Sequence, residues 1–389
     1  MFVELHILQN FAPSNLNRDD TGAPKDCEFG GYRRARISSQ CLKRAIRTEF
    51  RRQALLPEEH LAERTKRVLD ELTARLARRG KPEAEARQIA EAALSGMKLL
   101  VEAGKTQYLL FLGRTEIDRM VSICEKHWDS LKSAAASTQA TAPDKRSRRN
   151  REAKHDGPKA IPSDIRGALM RALDGGRAAD LALFGRMLAD LPDRNIDAAS
   201  QVAHAISTNR ISMEFDFYTA VDDLKPDETP EADMLGTVEF NSACYYRYAN
   251  VDCDQLARNL DGDRDLARRT VEAFVRASIT AIPTGKQNSM AAQNPPSLVF
   301  AVVRRAGLWS LANAFVKPVA PTAEGDLVEN SVRALDRYWG RLTAMYGTEQ
   351  LMGYWLATVE GVKLDHLASA HVATVRELVE RVREAVATG

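Results

Sequence analysis

Residues 15–47 read NLNRDDTGAPKDCEFGGYRRARISSQCLKRAIR. The run passes from a loop through a double glycine into a short basic strand and then a basic helix start. From Gly30 to Arg47 it holds six Lys or Arg (Arg33, Arg34, Arg36, Lys43, Arg44, Arg47) and no Asp or Glu, the electrostatic footprint that phosphate requires. Arg34 and Arg36 alternate with Ala35 and Ile37, so a strand sets guanidiniums on one face and apolar groups on the other. Ser38 or Ser39 stands where a helix N-cap belongs. Leu42, Ala45, Ile46 and Phe50 recur at helical spacing as an inward face, while Lys43 and Arg47, four apart, share another. A helix N-terminus adds free N–H groups for an anion. The competing reading is a solvated basic helix, which leaves the lack of acids unexplained.

The rest of the composition is that of an ordinary globular chain. Its 389 residues suffice for two domains or one with large insertions. Apolar residues make up 44% and charged residues 28%, and the net charge is only +2, so any nucleic-acid surface must come from uneven charge placement. The five cysteines (Cys27, Cys41, Cys124, Cys244, Cys253) are scattered, with no CxxC pair and no Cys/His cluster; neither a disulfide frame nor a zinc site is expected, and a reducing, cytoplasmic setting fits. The chain opens on a strand-like MFVELHILQNF without a cationic leader, and no apolar run reaches transmembrane length. No membrane partner, cofactor or metal is expected.

Along the chain, residues 2–11 alternate, with Val3, Leu5 and Ile7 on one face of a strand and His6, a surface or sheet-face residue, on the other. Residues 57–135 are mostly helical, broken at Gly80–Pro82, with residues 107–112 either strand or helix end. Helix is expected over 115–133 and 165–186. Residues 145–159 carry seven Lys or Arg against two acids, a net of +5, and read as a solvated linker or as a flexible cationic arm (Lys145, Arg146, Arg148, Arg149, Arg151, Lys154) that holds a nucleic-acid backbone. Residues 207–248 read as a long hairpin. Phe217 and Tyr218 point to opposite faces, so one ring lacks a core to enter. The tip, residues 222–233, holds six acids and one lysine, net −5. Separate acidic and basic surfaces suit head-to-tail pairing of copies. An amphipathic helix follows over 265–282, a strand over 297–303, and helices over 329–346 and 366–386. This order suits an α+β fold built on a split β-α-β plan of ferredoxin or RNA-recognition type with helical and hairpin insertions.

The motifs NLNRDD and FGG-RR-RISSQ-LKRA, with AHAISTNRISMEFDFYTAVDD at 203–223 and GTVEFNSACYYRYAN at 236–250, resemble the CasC family, the backbone subunit of the type I-E CRISPR interference complex Cascade. The resemblance implies an RRM-like, RAMP-type palm (1–56 and 241–389), helical fingers (57–200) and a hairpin thumb (201–240). It implies a crRNA-binding subunit that polymerises along the guide, presents it to target DNA in antiviral defence, and joins large, small and guide-end Cascade subunits. By match to the family pattern, Arg18, Lys25, Ser38, Gln40, Lys43 and Arg47 fall on guide-backbone contacts. Met187, Phe217, Tyr218 and Thr219 fall on the residues that kink the guide and displace a base at regular intervals, and the 145–154 cations fall in the region facing target DNA.

An enzyme is not expected. The seven histidines lack motif context, and there is no P-loop, Rossmann glycine pattern or HExxH. The alternative is an RNA-guided subunit with metal-dependent ribonuclease activity, for which Asp19, Asp20 or Asp26 are the N-terminal candidates.

Overall fold

Phe2–Ser14 forms strand β1, and nearly every residue from Val3 to Phe11 is buried, so both of its faces are covered. The computed structural model describes residues 1–139, 161–220 and 234–388. The chain divides into two units, one comprising Met1–Leu56, Ser200–Asp254 and Ala267–Gly389, the other Pro57–Ala199 and Gln255–Leu266.

In the first unit β1 pairs antiparallel on one side with the long strand Met234–Asp252, from Phe2↔Asp252 to Phe11↔Ala243. On the other side it pairs antiparallel with Leu298–Arg304, from Phe2↔Arg304 to Leu8↔Leu298. The sheet extends past Leu298–Arg304 to Leu351–Thr358. Past the long strand it continues through Ala205–Ser207 to β3 (Tyr32–Ile37) and β2 (Asp26–Phe29), every neighbour antiparallel. In chain order β1, Ala205–Ser207, Met234–Asp252 and Leu298–Arg304 therefore lie in the spatial order fourth, first, third, second. Helix α1 (Ser39–Arg52) falls between the first and second, and the helix Arg264–Thr280 between the third and fourth. On one face Leu8, Tyr246, Phe300 and Leu356 pack with Leu335 and Trp339 of the helix Leu327–Tyr346. On the other face, Leu5 and Ile7 meet Leu42 and Ile46 of α1 and Ser278 around a void of about 10 Å³. The structure is thus a mixed α/β fold with an antiparallel sheet between helical layers.

Two β1 faces mean buried polar groups. Glu4 accepts from Tyr248 Oη and Trp309 N, each at 2.7 Å, and pairs with Arg304 Nη1 at 3.1 Å; burial nevertheless raises its carboxyl pKa. His6 is fully buried, and its face is a covered one. Leu311 N donates to Tyr246 Oη at 2.8 Å, and His6 Nδ1 shares a hydrogen bond with the same hydroxyl at 2.8 Å. Burial, with the Arg304 charge added, lowers the His6 pKa to about 3.

The double glycine makes the β2–β3 turn. Phe29 pairs with Tyr32, so Gly30 and Gly31 are the two loop residues, with φ of 63° and 79°; a two-residue hairpin with both φ positive is a type I′ turn. Arg34 departs from the expected basic face. It is 0% exposed and donates from Nη1 to Ser207 O and Thr208 O (3.0 and 2.7 Å) and from Nη2 to Phe315 O and Val316 O (2.7 and 3.0 Å). It spends its charge on four carbonyls, one of which, Thr208 O, also accepts from Val319 N at 2.9 Å.

The second unit packs Val68–Arg78, Glu83–Gly96, Arg114–Lys126, Trp128–Gln139 and Ser163–Ala172 around one apolar core, with the short pair Ala62–Thr65 and Leu110–Gly113 beside it. Residues 110–113 are thus strand. Two expected helices are divided. The first breaks at His127. The second breaks at Gly175 and Gly176, whose φ of 97° and 61° no helix accepts. At the C-terminal end, α-helix covers only Val375–Thr388, preceded by a 3-10 turn at Ala368–Ala370, and the strand Leu351–Thr358 was not expected: LMGYWLAT does not alternate, and its pairing partner Leu298–Arg304 makes it a strand.

Arg34→Ala should lower unfolding free energy by more than about 3 kcal/mol, because three buried carbonyls and a part-buried one lose a charged donor. The exposed Arg33→Ala should cost less than about 1 kcal/mol. Equal urea midpoints for the two variants would refute the clamp. His6 makes a second expectation. Its folded pKa lies below its unfolded value of about 6.5, so neutral His6 supports the fold above that pH and the support is lost as pH falls toward 3. Glu4, raised on folding, acts with the opposite sign. The wild type should therefore lose up to about 1.4 kcal/mol per pH unit more than His6→Phe between pH 6.5 and 4.5. Parallel stability curves would contradict it.

Candidate nucleic-acid interface

Helix α1 is held at its start by a relay. Asn17 Oδ1 accepts from Ser38 N at 2.8 Å, and Ser38 Oγ accepts from Cys41 N at 3.3 Å, so Ser38 is the N-cap. Leu42, Ala45, Ile46, Glu49 and Phe50 face inward. What remains are two outward faces. Gln40, exposed, Lys43, half-buried, and Arg47 lie along one; partial burial lowers the Lys43 pKa. Cys41, Arg44, Thr48 and Arg52 lie along the other, lining a groove of about 830 Å³.

The opposite walls of this groove are the loop residues 16–22 and residues 280–293, with Thr284, Gln287 and Gln293 among them. Gly285 lets the walls approach: a Cβ there would stand 2.3 Å from Leu16 O. Of the six guide contacts expected from sequence, only Arg18 lines the groove; Lys25, Ser38, Gln40, Lys43 and Arg47 do not. Arg44, a member of the basic run with no role expected from sequence, does. Its signal was present, since Cys41, Arg44 and Thr48 also recur at helical spacing. Among the described residues Arg18, Lys25, Lys43 and Arg44 form no ion pair, whereas Arg33 is paired with Asp26 and Arg52 with Glu49.

Lys25 belongs to a further cluster. Arg36 N donates to Lys25 O at 2.9 Å, Arg36 Nε donates to Asp26 O at 3.0 Å, and Arg36 Nη1 lies 3.1 Å from His204 Nδ1. Partial burial, then the charges of Arg36 and Lys25, lower the His204 pKa. A neutral His204 accepts at Nδ1 and keeps Nε2–H as a donor. In the sequence His204 lies within AHAISTNRISMEFDFYTAVDD, where no local pattern gives it a role.

Asp19 is occupied within its loop: Oδ1 accepts from Thr21 N, Thr21 Oγ1 and Ala23 N at 2.9, 2.8 and 3.0 Å. These bonds hold its carboxyl pKa down, the Thr21 hydroxyl most of all. Among the described residues no group of three or more His, Cys, Asp or Glu is placed to hold a metal ion.

The hairpin strand Glu214–Ala220 pairs only with residues 234–240 of the long strand. Phe215 and Phe217 share one face, each 65% exposed, and Tyr218 is 41% exposed on the other. One unpartnered ring was expected, and three are exposed. Tyr218 lies across its partner Gly236, where a Cβ would meet the ring at 2.3 Å, so the cross-strand glycine makes room for it. Thr219, facing Leu235, is exposed beside them. Met187, in the second unit, is 82% exposed and not the core residue that its type alone suggests. The expected DNA-facing cations, Lys145 to Lys154, and the acidic residues 222–233 lie outside the described residues. No helix is long and apolar enough to cross a membrane among the described residues.

Comparison with known proteins bears on this geometry. A chain of a "CRISPR RNA-guided surveillance complex, pre-nicking" is 32% identical, with a TM-score of 0.84, over 99% of this chain and 100% of its own. A chain of a second "CRISPR RNA-guided surveillance complex" is 28% identical, with a TM-score of 0.72, over 100% of both. A search of curated proteins finds no match. The family model for CT1975-like protein matches residues 3–382, so the chain belongs to the CT1975-like family of Cas proteins.

Proposed function

We propose that this chain is a crRNA-binding backbone subunit of a type I-E Cascade complex, repeated head to tail along the guide. The observation that carries this reading is the set of cations without ion pairs, Arg18, Lys25, Lys43 and Arg44, gathered around the capped start of α1, in a chain similar over its whole length to surveillance-complex subunits. Phosphate contacts position a strand while base pairing specifies it, so such a subunit needs no base readout of its own. The sheet order, with α1 in the first crossover and Arg264–Thr280 in the second, supports a ferredoxin-like, RRM-like palm. In this reading the second unit serves as fingers and the hairpin as thumb, with Phe217, Tyr218 and Met187 acting as wedges that interrupt guide–target pairing. Three exposed rings on one two-stranded arm support the wedge, because stacking on bases returns about 1–3 kcal/mol each whatever the sequence. The 145–154 cations are read as contacts to target DNA. Cleavage is assigned to a partner and not to this chain, since Asp19 serves as a loop brace.

The protein should copurify with RNA as a large assembly. Lys43→Ala with Arg47→Ala should weaken guide binding equally for all sequences and flatten the log–log salt slope by about 1.4, or about 0.7 for each phosphate lost from a single strand. Arg44→Ala separates the two faces of α1. A flattened slope for Arg44→Ala with an unchanged one for the pair would route the guide through the groove; no change for either would remove α1 from the interface.

Phe217→Ala with Tyr218→Ala should blunt the periodic unpaired-base reactivity of a target-bound assembly toward permanganate, with the fold intact. Uniformly protected bases in the unmutated assembly would leave the rings without a wedge role.

A further inference from the structure

Met187 is the most exposed large apolar residue described, yet its backbone is fixed on both sides. Gly185 has φ of 75°, and a Cβ there would come within 2.8 Å of Ile196 O. Arg186 and Ile196 exchange N–H···O bonds at 2.9 Å. Leu188 N donates to Asn195 Oδ1 at 2.6 Å, and Leu188 is buried. Beneath the turn, the Arg186 side chain is 1% exposed and Glu116 is 0% exposed. Arg186 Nη1 reaches Glu116 Oε1 and Oε2 at 2.9 and 2.8 Å and Phe111 O at 3.3 Å. Nη2 reaches Leu173 O and Arg194 O at 3.3 and 3.2 Å. Glu116 also accepts from Gly113 N and Gly175 N, each at 2.7 Å. One buried ion pair thus ties the residue before Met187 to the strand Leu110–Gly113, the glycine turn at 175–176 and the turn Pro192–Arg194.

An apolar cluster would stabilise a helical core as well as a desolvated ion pair does. What the pair adds is direction: Nη1 is shared between the two Glu116 oxygens while Nη2 and Nε are held by carbonyls, and these charge-assisted bonds fix the backbone at Arg186 in a way that packing alone does not. Met is the loosest of the large apolar side chains; its use as a wedge therefore depends on a support that is already in place. We propose that Glu116 and Arg186 are positioning residues for Met187, holding its thioether out as a base-displacing group. The inference rests on the reading of Met187 as a wedge, and the test separates the two.

Target-bound assemblies of three variants are compared with the wild type: Met187→Ala, the charge-free pair Glu116→Gln with Arg186→Met, and Arg186→Lys, which keeps a charge for Glu116 but loses the carbonyl ties. Arg186→Lys serves in place of the pair if the pair does not fold. Expected are a retained cooperative thermal transition and retained guide RNA in all three and, in the two variants that keep Met187, a broadened Met187 methyl resonance in methyl-labelled protein. Permanganate reactivity at the periodic unpaired bases should fall about threefold to tenfold, the scale of freeing one rotamer-rich side chain. Unchanged reactivity in the folded variants, with Met187→Ala lowering it, would overturn the positioning role and leave the pair structural. Unchanged reactivity in Met187→Ala itself would overturn the wedge reading and this inference with it.

Discussion

The fold depends on β1 having a partner on each side. An antiparallel strand buried on both faces must place every N–H and C=O in a ladder, because no water reaches it. Here the long strand serves one edge and Leu298–Arg304 the other. The same burial explains the polar residues within. Glu4, His6 and Gln9 lie on β1, and each meets a partner from a distant segment: Trp309 N, Tyr246 Oη, and Arg247 Nη1 at 2.6 Å. A one-residue slip would carry all of them to the wrong face. The polar network therefore specifies the register that the hydrophobic pattern alone leaves open.

Positive charge in this chain has two fates. Arg34, Arg186, Arg247 and Arg304 are buried and consumed by carbonyls or carboxylates. Burial lowers the Arg247 pKa to about 10, and its contacts are a glutamine oxygen and a backbone carbonyl. Arginine suits these positions because its planar fork reaches several acceptors at once. Around the start of α1, Arg18, Lys25, Lys43 and Arg44 form no ion pair among the described residues and keep their charge at the surface. Lysine and arginine counts do not separate the two sets.

Local features were legible from the sequence. The Gly30–Gly31 turn, the Ser38 cap, the inward face of α1 and the helix Arg264–Thr280, with Val271, Phe274, Val275 and Ser278 buried, follow from rules that span a few residues. What required coordinates depends on contacts across the chain. Arg34 reads as a phosphate ligand until residues 207–208 and 315–316 close around it. The groove beside Arg44 appears only when residues 280–293 meet the loop at 16–22. The edge strand Leu351–Thr358 exists by virtue of its neighbour. Exposure of Phe215 was missed for the opposite reason: an alternating strand implies a core, and the hairpin arm has none.

The insertion of Pro57–Ala199 between α1 and the remaining sheet strands has a consequence for biosynthesis. Met234 follows Ser14 by 220 residues, 234 minus 14, and at about 5–20 residues per second the ribosome needs roughly ten to forty seconds to make them. For that interval the nascent β1 has neither ladder partner available, and its apolar FVELHILQNF is the segment most open to chaperone capture or to pairing with a neighbouring nascent chain on the same message. The helical unit, whose core lies within residues 57–199, can form during the wait.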